Sequence, residues 1–298
     1  MAEAAIPVDL FNPGQVFACV GLVEVADVLF GDAEGVFDWS DPVHVLFRVR
    51  SAGETSPVER ALAFLDGAEA RALAPQGSRT LESWNDSWGP RPELLDQRRG
   101  YPCPDPASPA TLVCELSDGR QAVLIDHWSD ATERDNVKFW AGAGGYPGAA
   151  LARDALALVR GRAAAACADP FALCAPQSSS FRFDWRRDYI PIDAGFSLNA
   201  HGNLYTLGFP LVELLAAIGL GHARPKRPDR RDKLVYEYAV MGRERTDDST
   251  WLPLPLLRAA LGATAFPFPM RRFRMLLDWP GKEGQARSIT TVTEENIE

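Results

Sequence analysis

Two long segments of the chain are apolar on nearly every side instead of along one stripe. They are QVFACVGLVEVADVL (residues 15–29), which is followed closely by Gly31, and FPLVELLAAIGLGHARP (residues 209–225), which contains Gly219 and Gly221. A helix that is apolar all round is buried in the core, and a glycine near its end stops it. The pattern therefore predicts two helices that lie inside the protein.

A third helix is predicted from the signals at its start. In SPVERALAFLDGAEARAL (residues 56–73), Ser56 stands at the N-cap, Pro57 at the first helical position and Glu59 three residues after the cap. This spacing is a capping box, in which the two side chains satisfy backbone N–H groups of the first turn. We also expect an Ala/Leu helix that ends at Gly161 after a glycine-rich turn, and a helix in LPLPLLRAALGA.

Alternation of apolar and polar residues predicts the strands. Strands are expected in IPVDLF and VHVLFRV (residues 43–49), and ATLVCEL and RQAVLIDHW form a hairpin around Ser117-Asp118-Gly119. FRFDW (residues 181–185) and YIPIDAGFSL are predicted as another strand pair, and RRFRMLLDW and ARSITTVTEE alternate near the end. Strands and helices interleave without regular βα repeats, so we predict an α+β fold with antiparallel sheets packed with helices.

The composition is that of a globular protein, with 46% apolar and 24% charged residues in a chain of 298. The N-terminus lacks a basic stretch followed by an apolar one, and no run of about 18 apolar residues is evident. We therefore expect a cytoplasmic protein with no membrane partner. The five cysteines form no C-x-x-C pair and the four histidines stand apart, so neither a metal site nor a cofactor is predicted.

Charge is distributed unevenly along the chain, whose net charge is −9. Residues 1–170 hold 14 Lys and Arg against 25 Asp and Glu, whereas residues 171–298 hold 17 against 15. We predict an acidic α+β half (1–170) and a basic α+β half (171–298), which form either two domains or one. The two halves are expected to offer surfaces to different partners, one of them polyanionic.

Two groups of residues have the chemistry of a catalytic site. Asp126, His127 and Asp130 follow a predicted strand, where carboxylates beside a histidine can act as general acid and base. A polar loop that caps the next helix is the favoured alternative. A serine, a histidine and an aspartate also occur within residues 178–201, but no G-x-S-x-G turn surrounds any serine. We predict no catalytic residue and a protein that is not an enzyme.

The run HARPKRPDRRDK (residues 222–233) contains six Lys and Arg against Asp229 and Asp232. Its two prolines exclude a helix, so the charges are expected on an extended arm beyond a buried helix. One or two cations would complement the negative end of that helix, but six exceed this need. Arginine forks bind phosphate through paired hydrogen bonds, so the run favours contact with a nucleic-acid backbone.

Aromatic rings accompany arginines in SSSFRFDWRRDY (residues 178–189). Alternation would bury Phe181, Phe183 and Trp185 and turn Arg182 and Asp184 outward, which makes the rings core residues. The alternative is that bases stack on them, and we predict Trp185 or Tyr189 in that role. The cations predicted to bind nucleic acid are Arg182, Arg186, Arg187, Arg224, Lys226, Arg227, Arg230, Arg231 and Lys233, with Arg271, Arg272 and Arg274 adding positive charge.

Several long blocks of the chain resemble a CRISPR-associated family of the type I systems, subtype U (now G), the third of its "Csb" proteins. The blocks are NPGQVFACVGLVEVAD, DNVKFWAGAGGYPGAALARDAL, QSSSFRFDWRRDYIPIDAGFSL, FPLVELLAAIGLGHARP and RFRMLLDWPGKEGQARSITTV. The resemblance runs from about residue 6 to residue 294. It supplies no catalytic motif that can be carried over to this sequence.

The resemblance implies a subunit or accessory of a CRISPR effector ribonucleoprotein, in which guide RNA pairs with invading DNA in antiviral defence. It implies guide RNA, target DNA and other effector subunits as partners, and is consistent with ferredoxin-like elements in the α+β fold. Two alternatives remain: a non-enzymatic scaffold that binds only proteins, and a metal-dependent nuclease or other hydrolase that uses Asp126, His127 and Asp130.

Overall fold

A computed structural model describes most of the chain, and every structural statement below concerns those residues. They are residues 1–95, 100–101, 105–106, 108–126, 146–177, 179–186, 206–221, 223–229, 231–262, 265–278 and 287–295. The helices are α1 (Pro13–Phe30), α2 (Pro57–Gly67), α3 (Gly148–Val159), α4 (Pro210–Gly219) and α5 (Leu254–Leu261). The strands are β1 (Ala2–Pro7), β2 (Glu34–Asp38), β3 (Leu46–Ser51), β4 (Glu69–Pro75), β5 (Glu93–Leu95), β6 (Val113–Ser117), β7 (Ala122–Ile125), β8 (Ala175–Gln177), β9 (Thr206–Gly208), β10 (Val235–Arg243), β11 (Leu252–Pro253), β12 (Met270–Asp278) and β13 (Ser288–Glu295).

The fold is α+β, as the sequence predicts. The largest sheet has the order β1-β3-β2-β10-β12-β13, with β11 also paired to β2, and a second sheet has the order β5-β4-β6-β7. Strands β8 and β9 form a separate pair. Pairing is antiparallel except between β10 and β2 and between β4 and β5. The largest sheet takes strands from both the acidic and the basic half of the chain.

Helices α1 and α4 pack against each other in the core at a distance that only glycine permits. A Cβ atom added to Gly21 would lie 1.8 Å from the Leu215 carbonyl oxygen, and one added to Gly219 would lie 2.0 Å from the Phe17 carbonyl oxygen. Every residue of α4 is buried, and so are most residues of α1. The two all-apolar segments are therefore the core helices that their patterns predict.

Among the described helices, α1 is the one that is long and apolar enough to cross a membrane by length and composition. This differs from the expectation that the chain has no such run, because Glu24 and Asp27 interrupt the apolar residues without ending the helix. Of its residues, 78% are buried inside the fold, which is the environment of a core helix.

The predicted helix over residues 56–73 is correct at its start and wrong at its end. The Ser56 hydroxyl accepts a hydrogen bond from the Glu59 backbone N–H at 3.4 Å, as the capping box requires. The helix ends at Gly67, however, and the following residues form β4 between β5 and β6. Alanine, glutamate, arginine and leucine favour helix locally, but pairing with two strands overrides that weak preference.

The predicted strand over residues 43–49 begins three residues late, at Leu46. The Asp41 carboxylate accepts hydrogen bonds from the backbone N–H groups of Val43 and His44 at 2.9 and 3.3 Å. Hydrogen bonds of this kind stabilise a turn, which competes with pairing of these residues to a neighbouring strand. The hairpin of β6 and β7 is confirmed, and Gly119 in its turn has a φ of +85°, which glycine adopts without strain.

We expect Gly21→Ala to destabilise the protein by about 1–3 kcal/mol, because the added methyl group forces α1 away from α4. The helix-forming preference of alanine over glycine, about 1 kcal/mol, is too small to offset this overlap. Gly67→Ala is the matched control, since no atom lies within 4 Å of its added Cβ. Denaturant unfolding should show a lower free energy of unfolding for Gly21→Ala and an unchanged one for Gly67→Ala. Equal free energies of unfolding for the two variants would contradict the packing argument.

Candidate nucleic-acid interface

The segment that precedes Trp185 is a tight irregular turn, so the predicted strand over FRFDW is wrong. Arg182 has a φ of +69°, a left-handed conformation that breaks the alternation of a strand. Phe181 and Phe183 are buried with their rings stacked at 5.7 Å, as expected for core residues. Of the other three positions, two are reversed, because Asp184 is buried and Trp185 is 46% exposed, and Arg182 is partly buried.

Two buried carboxylates hold this turn. Glu213, in the first turn of α4, accepts hydrogen bonds from the backbone N–H groups of Phe183 and Asp184 at 3.3 and 3.1 Å. Asp184 in turn accepts a bond from the Asn12 side-chain amide at 2.9 Å, just before α1 begins. The starts of both core helices therefore converge on the same turn, which the close packing of α1 on α4 makes possible.

Arg186 completes the group, which we call the Asp184 cluster (Asn12, Asp184, Arg186 and Glu213). Its guanidinium contacts both carboxylate oxygens of Asp184, with a shortest distance of 2.6 Å. It also donates to the Phe171 carbonyl oxygen at 2.7 Å and lies over the Phe209 ring, 3.6 Å from the ring centroid. Because the guanidinium is paired, hydrogen-bonded and stacked in this way, it holds the turn in place and is poorly placed to bind a phosphate.

The second predicted feature is the run of cations after α4, which we call the basic strip (residues 223–229 and 231–233). Lys226 joins the strip to the sheet, because its backbone N–H and C=O both bond to Glu237 of β10 at 2.7 Å. The side chains of Lys226, Arg231 and Lys233 are exposed, and those of Arg224 and Arg227 are partly buried. The prediction of a looped, non-helical arm is confirmed for these described residues.

The two aspartates of the basic strip bond to the backbone. Asp229 accepts a hydrogen bond from the Arg231 backbone N–H, and Asp232 accepts one from the Leu234 backbone N–H, each at 2.8 Å. Within the described part of the chain, the side chains of Lys226 and Arg231 form no ion pair. Two exposed positive charges therefore face solvent in a protein that is acidic overall.

The arginines of β12 have a different environment. Arg271 binds Glu294 through two hydrogen bonds of 2.6 and 2.7 Å, which raise the pKa of the guanidinium and lower that of the Glu294 carboxyl. Arg274 binds Glu237 and Glu295 at 2.9 and 2.8 Å. These pairs link β12 to its neighbours β10 and β13. Their positive charge is therefore balanced inside the sheet.

The structure separates the predicted interface into two places. Phe209 and Glu213 hold the Asp184 cluster at the start of α4, and the basic strip follows its end. A helix of ten residues is about 15 Å long. Arg182, Trp185 and Arg186 thus belong to the turn held at the start of α4, and Arg224, Lys226, Arg227, Arg231 and Lys233 follow the end of α4 in the sequence, with Lys226 paired to Glu237 of β10. Arg187, Tyr189 and Arg230 lie outside the described residues.

The candidate catalytic residues are mostly outside the described part of the chain. Asp126 follows β7, but His127 and Asp130 are not described, and neither are Asp193 and His201. Among the described residues, no three His, Cys, Asp or Glu side chains come close enough together to hold a metal ion. The geometry described here therefore assigns no reaction to these residues.

Asn12 and Glu213 are functional candidates that the sequence interpretation missed. The signal for Glu213 is present, since it is the one charged residue in the apolar helix PLVELLAAIG. A buried carboxylate must find hydrogen-bond donors, so its presence there indicates a polar contact in the core. The sequence around Asn12 predicts only a turn, and it contains no signal that the Asn12 amide bonds to a residue 172 positions away.

In comparisons with known proteins, no protein-family model, no curated protein and no solved structure matches this chain.

We expect Asp184→Ala to destabilise the protein by about 3 kcal/mol, the lower end for breaking a buried ion pair, because Arg186 is partly exposed. The matched control is Asp247→Ala, which removes an aspartate paired with an arginine two residues away, in a pair that is mostly exposed. Exposed pairs contribute little, so its unfolding curve should coincide with that of the unmodified chain. A large loss of stability in both variants, or in neither, would contradict the conclusion that the Asp184 cluster stabilises the fold.

Proposed function

We propose that this chain is a subunit or accessory of a type I (subtype U/G) CRISPR effector ribonucleoprotein and that it binds the backbone of guide RNA or target DNA. The proposal joins the resemblance of five sequence blocks to one structural observation. That observation is the basic strip, where Lys226 and Arg231 extend into solvent while the neighbouring aspartates bond to the backbone. The protein would work in the cytoplasm, in defence against invading DNA.

Electrostatics favours the exposed cations of the basic strip as phosphate contacts, rather than the arginines that are already paired with carboxylates. An arginine that already binds a carboxylate must break that pair before it can bind a phosphate, so Arg186, Arg271 and Arg274 gain little from the exchange. Cations that face water give up only hydration and counterions. In an acidic chain, a local cation cluster also directs a polyanion to one face and away from the rest.

The acidic half of the chain fits the same proposal. An effector complex contains other subunits, and an acidic surface repels nucleic acid while attracting basic proteins. The basic strip would then contact nucleic acid, and the acidic surface would contact neighbouring subunits. No catalytic residue is required for such a role.

The second candidate is a scaffold that binds only proteins. The observation that favours it is the number of arginines already paired with carboxylates, which include Arg50, Arg71, Arg186, Arg271 and Arg274. Gel filtration of the purified chain with and without a small RNA separates the two candidates. A shift of the protein with RNA supports the effector subunit, and an unchanged elution volume supports the scaffold.

We expect the affinity for single-stranded RNA to fall steeply with salt, and Lys226→Ala/Arg231→Ala to reduce the slope of log affinity against log salt by roughly 1.4, about 0.7 for each lost phosphate contact. The slope is measured by fluorescence anisotropy at several salt concentrations.

The control is Arg120→Ala/Arg245→Ala, which removes two exposed positive charges outside the basic strip and changes the net charge equally. Its slope should equal that of the unmodified chain. An equal reduction of the slope in both double variants would indicate that net charge, and not the basic strip, determines binding.

A further inference from the structure

Lys226 and Glu237 stand directly opposite each other as an antiparallel pair, joined by two backbone hydrogen bonds of 2.7 Å. Opposite residues in such a pair place their side chains on the same face of the sheet, with Cβ atoms about 5 Å apart. A positive and a negative side chain in this arrangement attract each other and stabilise the sheet. The Glu237 carboxylate nevertheless binds Arg274, and within the described residues the exposed Lys226 side chain forms no ion pair.

Arg274 occupies the carboxylate that Lys226 would otherwise bind. It stands opposite Glu237 on the other neighbouring strand, β12, and its guanidinium lies 2.9 Å from the Glu237 carboxylate. The same guanidinium contacts Glu295 of β13 at 2.8 Å. A guanidinium has five N–H donors and can bind two carboxylates at once, whereas the ammonium of lysine is a strongly hydrated point charge. Glu237 therefore pairs with the arginine, and the lysine stays in water.

Burial makes the charge on Glu237 demand a partner. The Glu237 side chain is 8% exposed, whereas that of Arg274 is 44% exposed. A buried carboxylate that loses its positive partner is strongly destabilised unless another cation takes its place. Lys226 lies directly opposite Glu237 on the same face, so it is well placed to replace Arg274. A Lys226 ammonium that binds Glu237 is no longer available to a phosphate.

We infer that Arg274 is a positioning residue for the phosphate contact of Lys226: by neutralising Glu237, it keeps the Lys226 ammonium free to bind nucleic acid. The inference rests on the proposed function and goes beyond it, because it gives an ion pair inside the sheet a role in binding. Arg274 itself contacts no phosphate. Removal of Arg274 therefore abolishes the phosphate contact of a different residue, on the neighbouring basic strip.

The test measures the slope of log affinity for single-stranded RNA against log salt, by fluorescence anisotropy, in the unmodified chain and in variants. Lys226→Ala and Arg274→Gln should each reduce the slope by about 0.7, the value of one lost phosphate contact. The two changes combined should also reduce it by only about 0.7, because both remove the same contact. Arg274→Gln/Glu237→Gln should restore the slope of the unmodified chain, because Glu237 then carries no charge that can capture Lys226.

The matched control is Arg271→Gln, on the same strand as Arg274. Side chains alternate along a strand, so Arg271 and its partner Glu294 lie on the face of the sheet opposite to Lys226. This variant changes the net charge by the same amount as Arg274→Gln, and its slope should equal that of the unmodified chain. Denaturant unfolding in the same buffers checks that each variant is folded under the conditions of the binding measurement.

Three results overturn the positioning role alone. They are an unchanged slope in Arg274→Gln, a reduction that the added Glu237→Gln does not restore, and a reduction of about 1.4 in Lys226→Ala/Arg274→Gln, which indicates two separate phosphate contacts. Absence of salt-dependent binding in the unmodified chain overturns the proposed function and this inference together. An unchanged slope in Lys226→Ala overturns the contact assigned to Lys226, and the role of Arg274 with it.

Discussion

The contact between α1 and α4 at Gly21 and Gly219 is the constraint on which the rest of the structure depends. It brings two almost wholly apolar helices together at backbone distance, so that each covers the other in the core. It also brings Asn12, before α1, and Glu213, in α4, to the same turn. Without that approach, the buried Asp184 carboxylate would lose the Asn12 amide as a hydrogen-bond donor.

Buried polar groups and exposed cations have different tasks in this protein. The two carboxylates of the Asp184 cluster are hydrogen-bonded internally, with backbone N–H groups, an amide and a guanidinium arranged around them. Arg271 and Arg274 likewise have carboxylate partners in the sheet. The basic strip contrasts with both, because its aspartates bond to the backbone and leave Lys226 and Arg231 facing solvent. Counting arginines along the sequence therefore overstates the charge that a phosphate can meet.

A nucleic-acid subunit with this arrangement would bind mainly through the phosphate contacts of the basic strip. Such contacts supply affinity that depends on salt and not on the base. The strip is held to the sheet through the backbone of Lys226, which bonds to Glu237 of β10. The exposed cations therefore project from a segment whose backbone is fixed to the fold.

The sequence by itself determined the α+β class, the two core helices, the start of α2 and the hairpin of β6 and β7, because these follow from local periodicity, capping and turn residues. It also located the basic strip, since two prolines and six cations leave no other local structure. Only the tertiary structure decided that residues 69–75 form a strand, since pairing with β5 and β6 outweighs a weak helix preference. Likewise, Asp184 is buried and Trp185 exposed because partners far along the chain, Asn12 and Glu213, bind the turn and reverse its alternation.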